Sequence, residues 1–218
     1  MTPAPVAMPF FLEACCPSLD AVLAAGSIGA RRIELCERLD IGGITPSEHL
    51  ICSALESATL PINVLVRPRE GDFVYSEQEK EAMLDSIRLC GRLGVNGVVI
   101  GALRKDGSVD MELMKDLVSE ARVSGLSVTF HRAFDVCADP MEALEAIIGL
   151  GCDRLLTSGH ASDAFEGREM LGAFVRAASG RIIIMAGCGV RPGNIADIAA
   201  ASSAPEYHSS WLSEPWEI

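Results

Sequence analysis

Positive charge is scarce in this chain: 18 lysines and arginines face 30 aspartates and glutamates, for a formal net charge of −12. That deficit argues against nucleic acid or an anionic membrane as the main partner, because both are held through basic patches. No lysine or arginine precedes Arg31, so no signal or transit peptide is read. Long hydrophobic runs are missing too. The longest strongly apolar one, Ile182–Ala186, is far short of the ~20 residues that span a bilayer. Cysteine is plentiful, but metal-finger spacing is not: the eight cysteines include no Cys-x-x-Cys pair. A cytoplasmic chain with free thiols, most of them small buried residues, is the expectation.

What is present is a repeated pattern. The 218 residues, 49% of them apolar, suit one domain, residues 1–218, of the size a single α/β barrel occupies. Ser127–Asp135 (SVTFHRAFD) reads as a buried strand that ends in His131, Arg132 and Asp135. Asp139 and Pro140 then open a helix. Similar strand–loop–helix units recur along the chain, with strands at Phe11–Cys15, Arg31–Cys36, Pro61–Arg67, Gly97–Leu103, Asp153–Ser158 and Arg181–Ala186. Ser76 and Glu79 form a capping box before the third helix. Helices are also expected over Ser162–Ala178 and from Arg191-Pro192 to about Ser202. Glu206–Ser209 supplies a short eighth strand, and the tail after it is too short for another packed helix.

Strands alternating with helices imply parallel right-handed crossovers. Eight of them predict a closed (β/α)8 TIM-type barrel whose eighth helix is missing or replaced by a short tail. An open doubly wound sheet fits less well, because no Gly-x-Gly-x-x-Gly follows the first strand. Its strands should also be apolar on both faces, whereas Glu13, Glu34 and Glu206 fall mid-strand. The two-residue period then selects an inward set: Glu13 and Cys15, Glu34 and Cys36, Asn63, Leu65 and Arg67, Thr129 and His131, Ile183 and Met185, Glu206 and His208. Cys15, Cys36, Arg67, His131 and His208 are expected near the C-terminal rim, with the three glutamates a layer deeper. Trp211 and Trp216 in the tail are expected either to cover the gap left by the eighth helix or to help form a homodimer.

The run RIELC at Arg32–Cys36, Glu13-Ala14-Cys15, Gly42-Gly43 through Ser47, VRPREGDFVYS from Val66, TFHRAFD from Thr129, LTSG from Leu156 and RIIIMAGCGV from Arg181 together resemble the CutC copper-homeostasis family. The resemblance covers nearly the whole chain. It implies a (β/α)8 barrel, a cytoplasmic location, a tendency to dimerise and a role in copper handling. The chain departs from the family pattern at Ile41, where an acidic residue is usual, at Cys188 within a glycine turn, and at Leu212, where an arginine is usual.

Two functions follow from the residues. In the first, Cys15 and Cys36 hold copper(I), a soft ion that prefers thiolates; matched positions on adjacent strands lie ~4.8 Å apart. Met185 or His208 is then a third ligand. In the second, the barrel is an enzyme acting on a small phosphorylated or carboxylated metabolite. His131 is its acid/base, with Glu34 or Glu206 as partner. Arg67, Gly187, Gly189, His208, Ser209 and Ser210 bind the anion, as loops after strands seven and eight often do in barrels.

Overall fold

The computed structural model describes residues 10–213 and Trp216. Eight parallel strands close in chain order: β1 (Phe11–Cys16), β2 (Arg32–Leu35), β3 (Ile62–Leu65), β4 (Gly97–Ile100), β5 (Ser127–Phe130), β6 (Arg154–Thr157), β7 (Ile183–Ala186) and β8 (Glu206–Ser209), the last pairing back onto β1. Between them run α1 (Leu19–Ala25), α2 (Glu48–Ser57), α3 (Glu77–Leu93), α4 (Met111–Val123), α5 (Pro140–Gly149), α6 (Arg168–Ala178) and α7 (Ile195–Ser202). The fold is the expected (β/α)8 barrel, with no eighth helix among the described residues.

Polar residues at the loop-to-helix junctions set where the helices begin. The side chains of Ser18, Ser47, Asp110 and Asp139 each accept a first-turn amide, and Pro140 opens α5. Ser76 and Glu79 form the reciprocal capping box at α3. Two helices start later than their sequence pattern suggests. α6 begins at Arg168 instead of Ser162, because Gly167 lies against the backbone after β6: a Cβ there would stand 1.9 Å from the Ser158 carbonyl oxygen. α7 begins at Ile195, because residues 191–194 form a turn in which the Arg191 amide donates to Asn194 Oδ1.

Strand alternation sorts the side chains into two populations. Leu12, Ile33, Leu35, Val64, Val98, Val128, Leu155, Ile184 and Tyr207 join the main core between barrel and helices. The tail contributes as well. Trp216 is buried in this core, and Trp211 and Leu212 pack against it.

The alternate residues fill the barrel, and the lower part of that filling is ionic. Arg32 reaches both Glu13 and Glu206, while Arg154 adds a second cation to Glu206 at 3.1 Å. His208 Nδ1 meets Glu13 Oε1 at 2.9 Å, and Met185 Sδ accepts from Arg32 at 3.3 Å. The sequence reading supplied the carboxylates and His208; the cations that neutralise most of their charge are Arg32 and Arg154.

Two outcomes test this architecture. Arg32→Met leaves two buried carboxylates short of a partner, and breaking a buried pair in this way is expected to cost on the order of 3 kcal/mol. Urea denaturation at neutral pH measures it. Gly167→Ala drives a methyl into backbone, so a loss of about 1–3 kcal/mol is expected, read as a lower thermal midpoint.

Candidate metal centre at the barrel mouth

Above the ionic layer the barrel opens into a cavity of about 470 Å³. Cys15, Glu34, Leu65, Arg67, His131, His208 and Ser209 line it from the strand ends, and Phe73, Arg132, Asp135, Cys188, Gly189 and Ser210 line it from the loops. This is the C-terminal face, where barrel enzymes and binding proteins of this fold place their sites.

On one side of the cavity three different donors converge. Single ligand atoms of Cys15, Glu34 and His208 all lie within 4.8 Å of one another. Cys36 stands next to Cys15, with their sulfurs 3.8 Å apart. Cys36 is fully buried and does not line the cavity. The loop over it requires a glycine at position 43. Gly43 has φ +85°, and its own backbone packs close to Cys36: a Cβ added to it would come within 3.7 Å of the sulfur and 2.9 Å of Leu65. The hydrogen bond with Cys36, burial and the Glu34 charge push the Cys15 thiol well above its ordinary pKa. Burial also raises Glu34, to about 7, and its Oε2 has no hydrogen-bond partner. His208 is raised too: burial opposes its charge, but Glu34 and Glu13 outweigh that. Because Nδ1 is taken by Glu13, only Nε2 is left for the cavity. A carboxylate behind an imidazole in this way orients metal-binding histidines.

The other side of the cavity is cationic. Arg67 donates to the carbonyls of Ile41, Gly43 and Gly71 at 3.3, 2.9 and 2.8 Å, and its guanidinium lies 5.0 Å from the Phe73 ring centroid. His131 packs on the same phenyl ring at 5.0 Å. Its Nδ1 accepts the Ala133 amide at 3.2 Å, so the neutral ring carries its proton on Nε2. That atom is buried and has no partner. Burial, then the Arg67 charge, hold His131 down to about 3. The imidazole is therefore neutral at physiological pH and presents its Nε2–H as an unpaired hydrogen-bond donor. Gly101 makes room for this ring: a Cβ there would lie 2.5 Å from Nδ1.

The remaining sequence candidates occupy other positions. Glu206 is bonded to Arg32 and Arg154 below the cavity, and Met185 is bonded to Arg32. The Gly187 amide donates to Thr157 O, and a Cβ at this residue would meet Leu156 at 2.4 Å, so close packing accounts for the glycine. Ser209 Oγ donates to Val190 O and accepts the Trp211 amide. Gly189 and Ser210 reach the rim. Asp135 ties the loop after β5 to β6, accepting from Thr157 Oγ1 at 2.5 Å and from the Ser158 amide at 3.0 Å. Arg32, Arg154 and Phe73 were missed. The two arginines carried a readable signal, since each stands two residues before an inward side chain on its own strand; the phenyl of Phe73 comes from a loop and carried none.

The Glu34 environment sets a pH dependence. The folded protein holds this proton up to about 7, whereas the ordinary carboxyl loses it near 4.5. Over that window the folded state binds more protons, so stability falls as pH rises. Glu34→Gln is expected to remove that fall and to leave the variant more stable than the parent at pH 8. Denaturation midpoints across pH 4.5–8 check it.

Comparison with known proteins agrees over the same span. The model of the CutC family matches residues 10–213. A family protein CutC of Parabacteroides distasonis is 50% identical over 200 residues, which is 91% of this chain and 82% of that protein. One from Xylella fastidiosa is 47% identical over 199 residues, 91% of this chain and 74% of the other. The crystal structure of a CutC protein from Streptococcus agalactiae superposes with a TM-score of 0.87 at 29% identity, covering 94% of this chain and 100% of that one. With its barrel, its motifs and its relatives in agreement from β1 to the tail, the chain belongs to the CutC family.

Proposed function

We propose that this protein handles copper by binding Cu(I) at the barrel mouth through Cys15 and Cys36, with His208 Nε2 as a further donor. The observation that carries this reading is the pair of sulfurs 3.8 Å apart. Two metal–thiolate bonds of about 2.3 Å, the length found for zinc, can span that gap. Cu(I) is soft and selects thiolate over carboxylate. The Streptococcus agalactiae relative is named for copper homeostasis, and shared family membership supports the same role here.

The electrostatics fit a site that is protonated when empty. Cys15 keeps its proton near neutrality, so an ion must displace it, and binding releases protons to solvent. Glu34, held at about 7, can take up negative charge or remain neutral as the thiolates form. Leu65 and Val99 pack with the two cysteines, and only Cys15 of the pair lines the cavity.

A harder ion would choose differently among these groups. Cys15, Glu34 and His208 form a mixed set of the kind that Zn²⁺ takes, and Cys36 lies outside it. Anaerobic competition against a Cu(I) chelator therefore decides the matter. Cys15→Ser and Cys36→Ser are each expected to lower Cu(I) affinity at least 100-fold, while Cys90→Ser, in α3, leaves it unchanged. Equal Cu(I) affinity in Cys36→Ser and the parent would overturn the thiolate-pair site. Zn²⁺ affinity that falls only in Cys15→Ser would reassign it to the mixed set.

A further inference from the structure

The cavity is larger than a metal ion needs, and its far side is built for something else. Its 470 Å³ falls in the range of small-molecule sites. The charged groups that line it are mostly paired. Arg132 is neutralised by Asp135 at 2.8 Å and His208 faces Glu13 at 2.9 Å. Glu34 belongs to the cysteine side. Arg67 is the exception. It is only 6% exposed, and its partners are three carbonyl oxygens, with no carboxylate in ion-pair range among the described residues. A buried cation without a counter-ion is costly. Beside it, sharing the Phe73 ring, is the unpartnered Nε2–H of His131, 95% buried. An orphaned donor of this kind normally marks a missing acceptor.

We infer that the mouth of the barrel binds a small organic carboxylate, with one oxygen on the Arg67 guanidinium and the other on the His131 Nε2–H. One unneutralised cation and one neutral donor match a single negative charge. A phosphomonoester dianion carries a second charge that this pair of donors does not match. The inference does not rest on metal binding, since neither Arg67 nor His131 belongs to the proposed copper ligands. The two sites occupy opposite sides of one cavity.

The test uses metal-free, full-length protein labelled with ¹⁵N-histidine and pyruvate as the probe. Pyruvate is expected to shift the His131 Nε2–H resonance saturably, with half-saturation at about 1 mM or below. Inorganic phosphate is expected to need at least tenfold more. Arg67→Lys keeps the charge but loses the planar fork, and it should weaken pyruvate at least tenfold. If this variant does not fold, the wild-type titration stands by itself. A His131 resonance unmoved by pyruvate, or moved equally well by phosphate, overturns the carboxylate site. So does unchanged pyruvate affinity in a folded Arg67→Lys.

Discussion

The barrel closes around a buried ionic knot. Arg32 stands between Glu13 and Glu206, which come from the first and last strands, and so joins the two strands whose pairing completes the cylinder. Arg154 from β6 and His208 from β8 extend the knot across the interior. Ion pairs of this kind contribute little net stability compared with a well-packed apolar core. Their effect here is on position. Because Glu13 fixes Nδ1 of His208, the other nitrogen of that ring is held toward the cavity, so the layer that seals the floor also aims a side chain of the site above it.

Much of this could be read in the sequence. The eight strands, their order and the inward placement of Glu13, Cys15, Glu34 and Cys36 follow from a two-residue period combined with capping residues at the helix starts. What could not be read was pairing. Period two puts Arg32 on the same face as Glu34, but only the closed barrel brings it to Glu206, 174 residues away. Arg67 reads in sequence as a rim cation; that the loops after β2 and β3 wrap it in backbone carbonyls is seen only in space. The protonation of His131 was equally hidden, because it depends on the Ala133 amide and the Arg67 charge.

Glycine positions show the same limit. Gly43, Gly101, Gly167 and Gly187 look alike as letters, yet each admits a different neighbour: the Leu65 side chain, the His131 ring, the Ser158 carbonyl and the Leu156 side chain. The late start of α6 follows from one of these approaches. A pattern of apolar spacing carries no information about a carbonyl arriving from the preceding strand.

Cys36 lies sealed beneath the Gly42-Gly43 loop while its neighbour faces the cavity. The two thiols are therefore not equivalent in access: whatever enters from solvent meets the Cys15 sulfur first and can reach Cys36 only past it, so a single turn of backbone gives two adjacent cysteines an outer and an inner position.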